Sequence, residues 1–429
     1  MKIEDVLKKL NVLYGENIDE LDYQRKRYID LYEKYQQEFK SENFYFFSVP
    51  GRTEISGNHT DHNNGKVLAG SVNLDSIAIA SPNDSPIVKI YSIGYNEPFQ
   101  ISLSELNSFE NEKGTTNSLI RGIASRFNQL NCNINGFDAL ISSDVLPGSG
   151  LSSSASIEVL IGIIFNVLFN NGVIKHERLA KIGQFAENNF FGKPCGLMDQ
   201  MTCAMGNVVA IDFKDFQNPI VEKINLDLDS LNYKLVVVDT GKNHTDLTDD
   251  YASIPKEMFS VAKYFGVKNC REISYSQLLD NIENLRKEVG DRAILRTIHF
   301  LEENERVEKQ VTALKENRFN DFLELVNESG SSSIKWLQNI YSTKNTNEQG
   351  TTLALAITNN FISKIGEGAC RIHGGGFAGT ILCFLPKNHI QEYKKIITPV
   401  FGQNSIKVLS IRKQGIYCFD EEICNGNSF

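Results

Sequence analysis

The sequence predicts a protein of mixed helices and strands that has room for two domains. The chain has 429 residues, which is enough for two ordinary domains that share a cleft. Hydrophobic residues make up 41% and charged residues 23% of the chain, which is the composition of a soluble globular protein. Short β-branched segments typical of strands and longer segments typical of helices both occur, so both kinds of element contribute to the fold.

The elements can be assigned in order along the chain. Residues 1–40 are charged and helical, and residues 41–51 form a short buried strand that ends in a turn. Further strands are predicted at residues 75–82, 87–93, 137–146, 207–213, 233–241, 380–386 and 405–411, and helices at residues 154–172, 175–192, most of 254–365 and between the last two strands. A boundary after Asp212-Phe213 would divide the chain into domains of residues 1–215 and 216–429.

Composition also excludes several functions. The net charge of −9 and a pI near 5.5 argue against a nucleic-acid surface. The N-terminal residues are too polar for a signal peptide, and the apolar stretch 157–169 is short for a membrane span and is broken by Glu158 and Asn166. The eight cysteines are scattered without metal-site spacing. We therefore expect a cytoplasmic protein with reduced thiols and no membrane or nucleic-acid partner.

The segment LPGSGLSSSAS, residues 146–156, follows a predicted strand and opens a predicted helix. Glycines allow a backbone to approach an anion closely, and the free N–H groups of a helix start point at it. The hydroxyl groups of Ser152 to Ser154 could contact phosphate or magnesium. A Ser/Gly turn with a serine N-cap explains the same letters equally well. No GxxxxGK[ST] element occurs, which disfavours a P-loop nucleotidase.

Two other segments carry polar or glycine-rich patterns. Residues 50–65 pack an arginine, two histidines, an aspartate and three asparagines between strands, which suits a polyhydroxyl ligand, although a polar surface loop is the commoner case. His59 and His62 lack a third metal ligand. Residues 374–376 are three glycines before an apolar strand, for which a tight bend is the simplest explanation.

Two carboxylates complete the candidates. Glu187 lies late in a predicted helix, where acidic residues are usually solvated. Asp199 follows a Pro/Gly turn and has apolar neighbours, so a solvated surface role explains it less well.

Together and in this order, the segments resemble the galactokinases of the GHMP kinase superfamily. The family's opening signature has the form GRxNxxGEHTDYNGG, and residues 51–65 read GRTEISGNHTDHNNG. Its phosphate loop GLSSSAS is unchanged at residues 150–156, and its CGIMDQ segment appears as CGLMDQ at residues 195–200. Its RxxGGGFGG segment appears as RIHGGGFAG at residues 371–379. Four matches in the right order are far more specific than any one of them.

The resemblance implies a fold and a reaction. The implied fold is α+β, with a ribosomal S5-like N-terminal domain, a ferredoxin-like C-terminal domain and the active site between them. The implied reaction is ATP- and Mg²⁺-dependent phosphorylation of the anomeric hydroxyl of a hexose, D-galactose before others. The expected partners are a small-molecule sugar and ATP, and we expect a monomer.

The resemblance also implies residue roles. Asp199 matches the catalytic aspartate and Arg52 the arginine beside it, while Ser154 and Glu187 match the magnesium ligands. The sugar-contacting positions are Asn58, His59, Asp61 and Tyr251, the last through its place after His244. The positions of the triphosphate cradle are Gly148, Ser149, Gly150, Leu151, Ser152, Ser153 and Ser154.

These roles agree with the chemistry. Phosphoryl transfer needs mainly positioning and charge neutralisation. Mg²⁺ takes a few hard oxygen ligands and keeps several waters, which a hydroxyl and a carboxylate would allow. An aspartate beside the sugar hydroxyl can accept its proton, and an adjacent arginine keeps that aspartate ionised.

Departures from the signatures put the sugar, and not the reaction, in question. Asn58 replaces the glutamate of GEHTD, at a position associated with the C6 hydroxyl. His62 replaces a tyrosine, and His373 replaces the threonine before the triple glycine. Two alternatives therefore remain: a related sugar 1-kinase for a uronic acid or an amino sugar, and a catalytically inactive sugar sensor. The intact Ser154-Ala155 pair speaks against the sensor.

Overall fold

A computed structural model describes residues 2–39, 41–145, 150–241 and 247–420 of the chain. The described strands are β1 (Tyr45–Ser56), β2 (Lys66–Pro82), β3 (Ile87–Ser92), β4 (Phe99–Ser102), β5 (Phe137–Ser143), β6 (Val208–Asp212), β7 (Ile220–Ile224), β8 (Tyr233–Asp239), β9 (Ala369–His373), β10 (Thr380–Pro386), β11 (Ile406–Leu409) and β12 (Tyr417–Cys418). The described helices are α1 (Ile3–Lys8), α2 (Leu10–Tyr14), α3 (Ile18–Glu38), α4 (Thr116–Gln129), α5 (Ser153–Asn170), α6 (His176–Ala186), α7 (Met198–Met205), α8 (Thr248–Tyr264), α9 (Tyr275–Asp280), α10 (Ile282–Glu288), α11 (Asp291–Lys315), α12 (Phe319–Ser332), α13 (Gly350–Ile365) and α14 (Ile390–Phe401).

The larger sheet contains the two longest strands, β1 and β2, which pair antiparallel. Its strand order is β12-β1-β2-β5-β3-β4, and β6 joins it by pairing with β2 and with β7. Only β3 and β5 run parallel among the described pairs of this sheet. The sheet therefore supports the segments that precede and follow β1 and β5.

Side chains alternate between two apolar layers along these strands. Phe46, Ile77 and Ile79 pack with α1, α2 and α3 on one face, and Phe47 and Ala78 pack with α4 to α7 on the other. This alternation is the two-residue period of a strand that is buried on both faces. The helix α5 is thereby fixed in the core above β1 and β2.

The smaller sheet is fully antiparallel, with the order β11-β8-β10-β9. Both of its faces are buried, which explains the continuous apolar runs in β8 and β10. Leu235 and Leu382 face α11, α12 and residues of the larger sheet, whereas Val236 and Ile381 face α13 and α14. One apolar core is thus shared by the two sheets.

The structure confirms most of the predicted elements and corrects the end of the first predicted strand. The strand predicted to end near residue 51 continues to Ser56, because a bulge between Pro50 and Arg52 lets β1 keep pairing with β2. The loop predicted at residues 50–65 is accordingly confined to residues 57–65. The helix predicted at residues 175–192 ends as α6 and continues in a π-helical turn, Glu187–Phe191.

The helix α5 is long and apolar enough to pass a membrane-span test on composition, but 67% of it is buried inside the protein. It is thus placed as a core helix, and no other helix of the described residues passes that test. The division of the chain at residue 215 remains a prediction. Both β7 and β12 lie beyond residue 215, yet each pairs within the larger sheet.

Candidate active site

Arg52 and Asp199 form the centre of the site. Arg52 donates two parallel hydrogen bonds to the Asp199 carboxylate, from Nε to Oδ1 at 2.7 Å and from Nη2 to Oδ2 at 2.6 Å. Its remaining nitrogen, Nη1, donates to the backbone oxygen of Gly150 at 2.7 Å. This bidentate geometry fixes the aspartate and the end of the phosphate-binding segment relative to each other.

The fold brings these residues together from distant parts of the chain. Arg52 follows the bulge in β1, and its backbone N–H donates to the Leu151 oxygen at 3.1 Å. Asp199 lies in the first turn of α7. Ser152, directly before α5, adopts a left-handed backbone conformation with φ 57° and donates a hydrogen bond from Oγ to Asp199. Such a strained residue is often found at a functional site.

Electrostatics keep Asp199 ionised. Burial alone would raise the pKa of Asp199, but the charge of Arg52 and the hydrogen bonds from Arg52 and Ser152 bring that pKa below its usual value. The carboxylate is therefore a strong hydrogen-bond acceptor and a weak base at neutral pH.

Ser154 and Glu187 form the candidate magnesium site. The Ser154 hydroxyl lies 3.2 Å from Glu187 Oε1, and the ammonium group of Lys193 lies 3.3 Å from the same oxygen. A hydroxyl and a carboxylate are hard oxygen donors that suit Mg²⁺, and the lysine shows that the position already accommodates a cation. No group of three or more His, Cys, Asp or Glu side chains in the described ranges could hold a metal ion.

A buried amide orients Glu187. Gln200 donates from Nε2 to Glu187 Oε2 at 2.8 Å and to Glu158 Oε2 at 2.9 Å. Burial, with the negative charge of Glu187 as the next contribution, raises the pKa of Glu158 well above its usual value. The two carboxylates thus share one amide donor, and burial disfavours the ionised form of Glu158.

The loop after β1 carries the predicted sugar-contacting residues, and α11 supports it from below. Glu303 accepts hydrogen bonds at Oε1 from the backbone N–H of Gly57 and the hydroxyl of Ser56, both at 2.9 Å. His299 lies 3.0 Å from the backbone oxygen of Asn58. The loop is therefore held by buried polar groups rather than exposed as a surface turn.

Asn58 does not face an open cleft. Its Nδ2 donates to Glu54 Oε1 at 2.9 Å and to the Gly374 oxygen at 2.6 Å, and its Oδ1 accepts from Asn339 Nδ2 at 2.7 Å. Because an amide has two N–H donors, both are already used. Asn58 therefore has no N–H donor left for the sugar contact that the sequence predicts.

His59 and Tyr251 are brought together by the triple glycine. His59 Nε2 lies 2.8 Å from the Gly375 oxygen, and the Tyr251 hydroxyl donates to the Gly376 oxygen at 2.9 Å. A Cβ at Gly375 would overlap the Tyr251 ring. The glycines therefore act as more than a bend, since their carbonyl groups bind four side chains, those of Asn58, His59, Asn339 and Tyr251. Burial lowers the pKa of His59 to about 4, so its ring is neutral.

Asp61 lies on the opposite wall, beside the segment that carries Asp199. Its Oδ1 accepts from the His62 N–H at 2.9 Å, and its Oδ2 lies against Gly196, where no Cβ would fit. Burial raises the pKa of Asp61, and the charge of Asp199 raises it further. The two carboxylates are thus close enough to interact electrostatically.

Two predicted residues of the cradle, Gly148 and Ser149, lie outside the described residues, as does His244. Sequence reasoning missed Lys193, Gln200 and Asn339. Gln200 is the last residue of the CGLMDQ segment and Lys193 lies two residues before it, but nothing in the sequence around Asn339 indicated a site.

Comparisons with known proteins find relatives along most of the chain. A family model described as GHMP kinases N terminal domain matches residues 118–207, and one described as galactokinase galactose-binding signature matches residues 33–82. The galactokinase of Glaesserella parasuis serovar 5 (strain SH0165) is 31% identical over 357 residues, covering 81% of this chain and 87% of that protein. A galactokinase of Clostridium acetobutylicum is 30% identical over 376 residues, covering 85% of this chain and 90% of that protein.

Solved structures show the fold. Lactococcus lactis galactokinase complexed with galactose superposes with a TM-score of 0.77 at 22% identity, covering 91% of this chain and 99% of that one. Methanococcus jannaschii mevalonate kinase superposes with a TM-score of 0.59 at 18% identity, covering 86% of this chain and 99% of that one. The predicted two-domain α+β fold is confirmed. An identity of 31% that extends over most of both chains, together with the two matching family models, shows that this chain belongs to the galactokinase family of the GHMP kinases.

Proposed function

We propose that this protein transfers the γ-phosphoryl group of ATP to the anomeric hydroxyl of D-galactose and so makes α-D-galactose 1-phosphate. The observation that carries the proposal is the bidentate Arg52–Asp199 pair. One end of that pair contacts the proposed phosphate-binding segment at Gly150, and the charge of Asp199 acts on Asp61 in the loop of residues 57–65. A phosphoryl acceptor and a phosphoryl donor would meet there.

The residues have distinct tasks in this mechanism. Asp199 accepts a hydrogen bond from the attacking hydroxyl and orients it. Because the pKa of Asp199 lies below its usual value, we infer that it takes the proton only as the new bond to phosphorus forms. Arg52 holds Asp199 ionised and in place. Ser154 and Glu187 would hold Mg²⁺, which, when bound, neutralises charge on the phosphates of ATP.

The cations near the loop of residues 57–65 are already paired, which favours a neutral sugar over a uronic acid as the substrate. Recognition of a carboxylate calls for an available cation. Lys66 forms ion pairs with Asp212 and Glu308, and Arg371 is enclosed and bonded to Glu54 and to the Ile55 oxygen. Galactose is therefore the better substrate in this proposal, and galacturonate or an amino sugar is the runner-up.

We further propose that the enzyme is a cytoplasmic monomer that uses ATP and Mg²⁺ and is divided near residue 215 into two domains. Size-exclusion chromatography with light scattering tests the monomer. Limited proteolysis with mapping of the fragment ends tests the division.

The deciding experiment is an ATP-consumption assay over a panel of hexoses, amino sugars and hexuronic acids. Galactose should give the highest kcat/KM. A higher kcat/KM for galacturonate or an amino sugar would replace the substrate but keep the reaction. An absence of turnover with every sugar, in a protein that still binds ATP and galactose, would favour the sensor.

The role of Asp199 is tested by Asp199→Asn and Asp199→Ala. Loss of a residue that accepts a proton in the transition state lowers rates by about 10²–10⁴-fold, so we expect kcat to fall by that range while ATP still binds by calorimetry. The exposed substitution Asp84→Asn is the control. An Asp199→Asn enzyme that retained most of its kcat would refute the assignment.

A further inference from the structure

Residues 51–65, which match the opening signature, contain an exchange of two residue types. The signature GRxNxxGEHTDYNGG has asparagine at the position of residue 54 and glutamate at the position of residue 58, whereas this chain has Glu54 and Asn58. The departure at residue 58 is therefore matched by an opposite departure at residue 54. One carboxylate and one amide are kept, in reversed order.

The structure places the exchanged residues in direct contact. Asn58 Nδ2 donates to Glu54 Oε1 at 2.9 Å, and Arg371 Nη2 donates to the same oxygen at 3.3 Å. The Asn58 amide is already engaged by the Gly374 oxygen and by Asn339. Asn58 thus acts on Glu54 and has no donor left for a ligand.

Glu54, in contrast, has an unused oxygen. Both of its hydrogen bonds end on Oε1, and within the described ranges no residue donates to Oε2. The Glu54 side chain is 9% exposed, while that of Arg371 is fully enclosed. Oε2 is not one of the fully buried unpartnered atoms of the described residues, so a donor from a ligand can reach it.

Glu54 also lies in the site. It stands two residues after Arg52 on β1, and the charges of Arg52 and Asp61 both act on it. Burial raises the pKa of Glu54 to about 7, against the opposing charge of Arg371 and the hydrogen bond from Asn58. This agrees with an acceptor that lacks its donor.

We propose that Glu54 is a substrate-binding residue that determines specificity, with Oε2 accepting a hydrogen bond from a hydroxyl group of a neutral sugar. Asn58 is its positioning residue. Once ionised, Glu54 also repels a sugar acid, because like charges in a desolvated site are unfavourable. The proposal rests on the sugar kinase function above and names a residue that selects the sugar.

The test is a set of variants measured for turnover and for sugar binding. We expect Glu54→Gln to raise the KM for galactose by about tenfold or more, as for loss of a charged hydrogen bond. The KM for ATP should not change, and the rate with galacturonate relative to galactose should rise. Glu110→Gln, in an exposed position, is the matched control.

Restoring the residue order of the signature tests whether Glu54 and Asn58 act as a pair or independently of each other. Glu54→Asn and Asn58→Glu should each weaken galactose binding, the second because it places two carboxylates in contact. The double variant Glu54→Asn/Asn58→Glu should recover much of the loss, so that the single effects do not add. Additive losses would contradict the exchange.

A pH profile distinguishes substrate binding from a purely structural role. An ionised carboxylate accepts a hydrogen bond more strongly than a neutral one, so kcat/KM for galactose should rise as the pH increases through about 7 in the wild type. It should rise less in Glu54→Gln. If Glu54 only neutralised Arg371, Glu54→Gln would lower the melting temperature and leave the KM for galactose unchanged, which would overturn the proposal.

Galactose binding by calorimetry keeps this test independent of turnover. Wild-type turnover with an unchanged KM in Glu54→Gln overturns only the role of Glu54. Galactose binding that Glu54→Gln weakens, without wild-type turnover, supports that role and overturns the kinase. A wild type that neither binds nor phosphorylates any sugar of the panel overturns both.

Discussion

At the scale of single residues, the carboxylate of Glu187 shows how a metal site can be prepared by its neighbours. Gln200 holds Oε2 at 2.8 Å, which leaves Oε1 to Ser154 and to the ammonium group of Lys193. The Lys193 side chain is 66% exposed, so it can leave the site at little cost when a stronger cation arrives. Oε1 of Glu187 is therefore the oxygen that a metal ion would use.

We predict that Glu187→Gln weakens the binding of the Mg²⁺ on which turnover depends. A neutral amide is a much poorer ligand for this hard cation than a carboxylate, so the Mg²⁺ concentration for half-maximal rate should rise at fixed ATP. Titration of Mg²⁺ in the wild type, Glu187→Gln and the exposed control Glu110→Gln measures this. Superimposable titration curves would mean that Glu187 is not a ligand.

The sequence predicts some of these residues well and others poorly. Arg52 and Asp199 are 147 residues apart, but each lies in a quoted signature, and the structure joins them directly. The orientation of Asn58 could not be predicted, because it depends on Asn339, which is 281 residues away, and on a backbone oxygen of Gly374. Partners of that kind leave no pattern in the letters near a residue.

At the scale of elements, the turn between β9 and β10 builds one wall of the proposed sugar site. The Gly374, Gly375 and Gly376 carbonyl groups accept hydrogen bonds from the polar loop and from α8. Sequence reasoning favoured a simple bend here, since three glycines before a strand state nothing about where their oxygens point. The strands β8 and β10 were predictable from their apolar runs, whereas β4, β7 and β12 are short and were not predicted.

We predict that Gly375→Ala raises the KM for the sugar and leaves the KM for ATP unchanged. The added Cβ would overlap the Tyr251 ring and push α8 away from the turn. Gly162→Ala is the control, because a Cβ there meets only Leu179, at 3.7 Å. That substitution also replaces a glycine in a helix interior, where glycine is unfavourable. Equal sugar KM values for the two variants would show that the position of Tyr251 does not affect sugar binding.

At the scale of the whole molecule, one buried carboxylate ties distant parts of the chain together. Asp75 in β2 accepts hydrogen bonds from the Tyr14 hydroxyl at 2.6 Å, from Arg27 at 2.5 Å and from Arg412 at 2.8 Å. Tyr14 and Arg27 lie in N-terminal helices, and Arg412 lies 337 residues beyond Asp75. The apolar core shared by the two sheets could not be predicted either, because both kinds of contact depend on tertiary pairing.

We predict that Asp75→Asn lowers the free energy of unfolding by about 3–5 kcal/mol, because it leaves the buried Arg412 without its counter-ion and Arg27 with Asp144 alone. Burial would raise the pKa of Asp75, but Arg27 and Arg412 bring it below its usual value. A depressed pKa gives stability that is present above the unfolded-state value and is lost as the pH falls through the folded-state value. Denaturant unfolding of Asp75→Asn and of the exposed control Asp84→Asn measures the difference. Equal stabilities, or a wild type whose stability does not fall at acid pH, would contradict this role.

The pairing of Asp75 with Arg412, and of β12 with β1, has a consequence for how the protein is made. A ribosome that has completed β1 and β2 has yet to make β12, the strand that covers the edge of β1, and Arg412, the second of the two arginines that bind Asp75. At ~5–20 residues per second, the 337 residues from Asp75 to Arg412 take on the order of tens of seconds. During that interval the nascent N-terminal half carries an open edge to which chaperones or another nascent chain can bind. The larger sheet is therefore completed only after β12 has been made, although its other strands are made earlier.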